Sequence, residues 1–109
     1  EPIVDGMWRG VNVGGTSTAA RLEGLDVCGK TGTAENPRGR DHSTFLSFAP
    51  KDNPKIAISV YVENGGFGAS AALPIASLLE EYYLTDTIRR PALLEHIKNM
   101  NIYYPSYDR

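Results

Sequence analysis

The chain has 109 residues, enough for one small hydrophobic core and not for two. Its apolar fraction of 41% excludes a disordered chain, and its net charge of -2 gives no electrostatic reason to bind nucleic acid. No apolar run approaches the roughly 18 residues needed to cross a bilayer. Cys28 is the single cysteine, which excludes an internal disulfide and a cysteine-cluster metal site. No metal and no cofactor are expected. The chain opens on Glu1-Pro2 rather than methionine, so a processed chain or a piece of a longer one is expected. Any targeting segment would then lie upstream of Glu1.

The first segment, about residues 2–12, reads as a helix. Ile3 or Val4, Met7, Trp8 and Val11 recur at helical spacing, and Pro2 suits the first turn. Gly14-Gly15-Thr16-Ser17-Thr18 then breaks it. About residues 25–34 read as a strand, in which Cys28 is a small buried residue. A catalytic thiol there would need a base, and His42 is the nearby candidate in sequence. Asn36 to Asp41 is a polar, turn-rich loop. About residues 44–49 form a second strand and about 55–63 a third, in which Ile56, Ile58, Val60 and Val62 alternate with Ala57, Ser59 and Tyr61.

Short connections between the three strands imply an antiparallel sheet, because parallel neighbours need long crossovers. Asn64-Gly65-Gly66-Phe67-Gly68 leads to a helix over about 70–83. Its apolar face is read as Ala72, Ile75, Ala76, Leu79 and Tyr83. Glu80 and Glu81 are placed on a solvated face, and Trp8, Tyr61, Tyr82 and Tyr83 in the core or at its rim. The expected fold is an α+β layer with both helices on one face of the sheet. Pro91 to Met100 suits a short helix, and Asn101 to Arg109 an extended tail. His96 has no assigned partner.

Gly29-Lys30-Thr31-Gly32-Thr33 is the most informative stretch. Alternation puts Lys30 and Gly32 on one side of the strand and Thr31 and Thr33 on the other. Glycine inside a strand marks close approach of a ligand or backbone. The strand edge is able to take up a peptide as one more strand, and hydroxyls beside an ammonium suit a carboxylate. Residues 24–31 also match the phosphate-binding pattern of a Gly-rich loop ending in Lys-Thr. That pattern needs a helix after Lys30-Thr31, and Gly32, Pro37 and Gly39 oppose one. Asp41-His42-Ser43 offers triad residue types, but neighbours on a strand point to opposite faces.

Lys30-Thr31-Gly32-Thr33-Ala34-Glu35 resembles the third signature motif of penicillin-binding proteins and serine β-lactamases. Gly6-Met7, Val11-Asn12 and Gly15-Thr16 precede it as in class B transpeptidases. Phe48-Ala49-Pro50, Asn53-Pro54-Lys55-Ile56-Ala57, Val62-Glu63-Asn64-Gly65, Gly68 and Ala71-Ala72-Leu73-Pro74-Ile75-Ala76 follow. The whole is most similar to the penicillin-binding protein 2 type, the elongation transpeptidase, over about residues 2–84.

The resemblance implies that Lys30 faces the catalytic cleft, tunes the proton network and favours anionic substrate. It implies that Thr31 and Thr33 bind the terminal carboxylate of a D-alanyl stem peptide or of a β-lactam. Gly32 lets that substrate lie against the strand, and the Thr33 backbone N–H is an oxyanion donor. Arg38, Arg40 and His42 border the cleft, within reach of substrate or a partner. The family's serine with lysine three residues on, and its serine or tyrosine with asparagine two residues on, have no counterpart here. Both would lie upstream, so the chain alone is expected to be inactive.

The expected division is therefore about residues 1–84 as the C-terminal part of a transpeptidase domain and about 85–109 as a tail. The parent would be a D,D-transpeptidase on the periplasmic face of the bacterial inner membrane, held by an upstream anchor. Its partners would be the stem peptide, β-lactams and the rest of its own domain. Alone, the piece would expose apolar surface at a sheet edge and would be able to form a homodimer. A non-catalytic binding or structural domain of cell-wall assembly is the alternative reading.

Overall fold

A computed structural model describes residues 1–68 and 70–100. The expected tail over Asn101–Arg109 lies outside them. Helix α1 spans Pro2–Asn12. The Glu1 side chain accepts from the Ile3 N–H at 2.8 Å, Asp5 lies in the first turn and Arg9 in the last, each matching the helix dipole. A 3-10 turn at Thr18–Ala20 follows. Strands β1 (Cys28–Ala34), β2 (His42–Ala49) and β3 (Ile56–Val62) form an antiparallel sheet in the order β1-β2-β3. Helices α2 (Ala72–Thr85) and α3 (Pro91–Lys98) end the described chain.

Strand β1 starts three residues later than the apolar pattern suggests. Gly24, at φ 80°, turns the chain, and Leu25 bonds back to the Leu22 carbonyl at 3.0 Å. Leu25 and Val27 therefore pack as a turn, and Val27 is fully buried.

Alternation along β2 decides the core. Ser43, Phe45, Ser47 and Ala49 point inward and are buried, while Leu46 points out and is half exposed. Phe45 meets Val11 of α1 over Gly29, where an added Cβ would lie 2.6 Å from the Phe45 ring and 3.3 Å from Val11. Ser43 and Ser47 meet α2. Both helices thus cover the same face of the sheet. The core comprises Val11, Leu22, Val27, Phe45, Ala49, Leu73 and Ala76.

The inward serines also set the rotation of α2, and here the sequence expectation is corrected. Glu80 is fully buried and Glu81 is 3% exposed, while Leu79 is 51% and Tyr83 63% exposed. Small side chains at Ala72, Ala76 and Ser77 let α2 approach the sheet closely, so that face wins over the one carrying Leu79 and Tyr83. The Ser47 hydroxyl then donates to Glu80 Oε1 at 2.7 Å. Tyr61, Tyr82 and Tyr83 are all more than half exposed, and Trp8 is half-buried. The second stripe of α2 faces α3: Ile75, Leu78, Leu79, Tyr82, Ile88, Leu94 and Ile97 line a wholly apolar groove of about 230 Å³.

Candidate functional site

Strand β1 lies at one edge of the sheet, with β2 on one side and no strand on the other among the described residues. Lys30 pairs with Leu46, which pairs with Ser59; Gly32 pairs with Thr44, which pairs with Tyr61. These residues share the face away from the helices. Thr31 and Thr33 pair with the inward-facing Phe45 and Ser43. A depression of about 290 Å³ on the open face is lined by Lys30, Thr31, Gly32, Thr44, Leu46 and Ser59.

The four motif residues have different local partners. The Lys30 ammonium is exposed and donates to the Thr31 carbonyl at 2.7 Å. The Thr31 hydroxyl lies 3.4 Å from the Thr16 hydroxyl. The Thr33 hydroxyl accepts from the Gly68 N–H at 3.3 Å. Gly32 is enclosed from both faces. A Cβ on it would collide with the Thr44 hydroxyl, and Gly68 comes so close from the helix side that its own Cβ would lie 2.6 Å from the Gly32 carbonyl. Glycine at 68 lets the 65–68 loop press against the backbone of β1, and glycine at 32 leaves room for the Thr44 hydroxyl on the opposite face.

That loop is held by polar side chains from the segments around it. Ser43 Oγ lies 2.8 Å from the Phe67 carbonyl and accepts from the Ala72 N–H at 2.9 Å, so one strand hydroxyl secures the loop and an otherwise orphaned N–H of α2. Asn64, in the left-handed region at φ 59° and buried, accepts from Asn36 Nδ2 at 2.7 Å. Asn36 also donates from its N–H to Asp41 Oδ1 at 3.0 Å, and the Gly66 N–H reaches the Asp41 carbonyl at 2.7 Å. The 35–41 loop carrying Arg38 and Arg40 is thereby tied to the 64–68 loop. The role of Ser43, Asn64 and Thr16 in holding β1 has no signal in composition or periodicity. The glycines beside Asn64 and Thr16 are the one local hint of close backbone approach.

Three other candidate chemistries fail, two on geometry and one on burial. After Lys30-Thr31 the chain continues as strand to Ala34, so no helix opens there to receive a phosphate. Asp41, His42 and Ser43 bind three separate partners: the Asn36 N–H, the Asn64 N–H on His42 Nδ1, and the Phe67–Ala72 backbone. Cys28 is fully buried, and burial pushes its thiol pKa up, opposite to the shift that activates a thiolate.

The site is thus an edge strand with a glycine, two hydroxyls and an exposed ammonium, backed by two helices on one face of the sheet. Residues 1–79 match the penicillin-binding protein transpeptidase domain, and the chain belongs to that family. The peptidoglycan D,D-transpeptidase MrdA of Haemophilus influenzae is 36% identical over 100 residues, covering 76% of this chain and 15% of that protein. MrdA of Acinetobacter baumannii is 36% identical over 92 residues, covering 71% of this chain and 14% of its own length.

Among solved structures, PBP2 of Pseudomonas aeruginosa is 38% identical with a TM-score of 0.66, covering 75% of this chain and 18% of that one. Penicillin-binding protein A of Mycobacterium tuberculosis, in its ceftriaxone acyl-enzyme complex, is 32% identical with a TM-score of 0.66. That match covers 76% of this chain and 20% of the other. The chain thus spans less than a fifth of the length of the curated relatives named here. The penicillin-binding protein 2 type and the α+β layer are those expected.

Proposed function

We propose that the chain supplies one wall of the active site of a peptidoglycan D,D-transpeptidase that cross-links stem peptides by serine acyl transfer. The observation that carries this is the unpaired edge of β1, with Lys30, Thr31, Gly32 and Thr33 in succession along it. Thr31 and Thr33 hold the terminal carboxylate of a D-alanyl peptide or of a β-lactam. Lys30 adds positive charge and tunes the proton network at the nucleophile. Gly32 lets the ligand backbone lie flat against the strand.

The contact from the Lys30 ammonium to the Thr31 carbonyl supports a reading in which Thr31 turns its peptide groups to the open edge. In an antiparallel ladder the N–H and C=O of one residue face the same way, with a two-residue period. The Thr33 N–H then faces that edge too, and is the oxyanion donor. Such a donor typically lowers an acyl-transfer barrier by about 3–4 kcal/mol.

The serine nucleophile and its lysine lie outside these 109 residues. In the full protein the serine oxygen attacks the penultimate D-alanyl carbonyl, and the terminal D-alanine leaves with a proton on its amine. An amine of a second stem peptide then displaces the serine. The chain alone lacks the activated nucleophile that covalent catalysis needs, and is inactive. Residues 1–84 form the C-terminal part of the domain, and 85–109 an appended tail. The protein acts on the periplasmic side of the inner membrane through an anchor elsewhere in its sequence. Removed from the rest of its domain, the piece is prone to homodimerise through exposed sheet surface.

Acylation of the full-length protein by fluorescent penicillin tests this reading. Lys30→Ala is expected to lower the second-order acylation rate by two or more orders of magnitude, and Thr31→Val with Thr33→Val to weaken capture of carboxylate-bearing β-lactams. Unchanged acylation in both variants would leave the chain as a structural or non-catalytic binding domain.

A further inference from the structure

We propose that Thr16 is a positioning residue for the Thr31 hydroxyl, and that Arg90 locks it there from beyond the family-matched stretch. The inference rests on the carboxylate-binding role assigned to Thr31 above. Thr31 has one hydroxyl hydrogen. When that hydrogen turns to an anion, the oxygen is left facing Thr16, 3.4 Å away. Thr16 is then the donor into the Thr31 lone pair. A hydroxyl that accepts one hydrogen bond donates a stronger one, so the pair acts as a short relay ending on the carboxylate.

The relay requires Thr16 to be held, and three features hold it. Gly15 comes so close to α1 that an added Cβ would lie 2.5 Å from the Gly10 Cα. Gly10 in turn faces the Gly29 carbonyl, where its own Cβ would stand at 3.7 Å. Loop, helix and strand are therefore stacked backbone on backbone next to Lys30. The Ser17 N–H bonds the Gly10 carbonyl at 3.0 Å, and the Thr18 hydroxyl bonds the Gly15 carbonyl at 2.6 Å, which fixes the turn on both sides of Thr16.

The third feature is Arg90. It lies outside residues 1–79, which match the family. Its guanidinium reaches the Ala19 carbonyl at 3.4 Å, Ser77 Oγ at 2.9 Å, the Ser77 carbonyl at 3.3 Å and Glu81 Oε1 at 3.3 Å. Ser77 and Glu81 are buried on α2. Arg90 thus fastens the 3-10 turn to α2, three residues after Thr16.

The test uses the full-length protein and a carboxylate-bearing β-lactam, resolving the non-covalent Kd from the acylation rate at saturation. Loss of one supporting hydrogen bond is expected to raise Kd about three- to ten-fold in Thr16→Val, while the saturating acylation rate changes less than about two-fold. Thr16→Ser, which keeps the hydroxyl, is expected to restore Kd. Arg90→Lys and Arg90→Ala are expected to raise Kd in that order, and Arg90→Ala is expected to add nothing once Thr16 is Val, because it acts through Thr16. Thermal melting of each variant confirms folding.

A normal Kd in Thr16→Val would overturn the proposal, as would a Thr16→Ser that fails as badly as Thr16→Val. Thr31→Val separates the two levels of the account. If it weakens binding while Thr16→Val does not, the relay fails and the carboxylate site stands. If neither weakens binding, the reading of Thr31 itself fails.

Discussion

Glu80 is the side chain whose chemistry most depends on its place in the fold. It lies fully buried between α2 and β2, with Ser47 on Oε1 and no hydrogen-bond partner for Oε2 among the described residues. Burial raises its pKa from the ordinary 4.5 to about 7, against a smaller lowering by Ser47. The folded chain therefore holds this proton over a pH range in which the unfolded chain has released it. Stability from this group is fully present below about pH 4.5 and falls as pH rises toward 7, by up to about 1.4 kcal/mol per unit. Glu80→Gln mimics the neutral acid. Urea unfolding between pH 5 and 8 should show a flatter profile for this variant and greater stability than the parent at pH 8. Identical profiles would mean that Glu80 takes up its proton equally well in the folded and unfolded chain.

Gly29 gives a second prediction at the same scale. An added methyl would lie 2.6 Å from the Phe45 ring, itself pinned in the core. Gly29→Ala should cost about 1–3 kcal/mol in urea unfolding through overpacking. A neutral result would show that α1 is free to lift from β1.

Among the elements, helix α3 is fastened chiefly by its first residues. Arg90 precedes it and binds buried Glu81 and Ser77, with the Arg90 side chain only 26% exposed. Arg90→Ala strands a buried carboxylate and should cost about 2–4 kcal/mol. The Lys98–Glu95 pair at the other end is 3.5 Å apart and more than 60% exposed on both sides, so Lys98→Ala should change stability by less than about 0.5 kcal/mol. Hydrogen exchange of the α3 amides should rank the two variants in the same order. Equal protection would mean that the apolar groove, not Arg90, holds the helix.

The helix and strand succession is legible because its periods are clean: 3.6 in α1, two in β3. The rotation of α2 is not, because its buried residues include Ser77, Glu80 and Glu81 beside Leu73 and Leu78, while Leu79, Tyr82 and Tyr83 stay more than half exposed. A hydrophobicity pattern ranks those residues the wrong way round. Close approach of small side chains and the needs of Ser43 and Ser47 decide it, and both are properties of the partner strand. The strand carrying Lys30-Thr31-Gly32-Thr33 is legible as a strand, since glycine and proline after Lys30-Thr31 oppose a helix. Its support by Thr16, Gly68 and Asn64 is not, because those residues arrive from distant loops.

At the scale of the whole molecule, both outer edges of the sheet are unpaired among the described residues, and they differ in chemistry. The β1 edge carries cation, hydroxyls and glycine. The β3 edge carries Ile56, Ile58, Val60 and Val62, each half-buried against the helices.

The account requires the reacting serine to come from sequence outside residues 1–109. The most direct measurement is peptide mapping by mass spectrometry of the full-length protein after acylation with penicillin, alongside the isolated chain. The account predicts a single penicilloyl adduct on a serine outside residues 1–109, and none on the isolated chain. An adduct on any residue of the isolated chain, or a full-length protein that forms none, would contradict it.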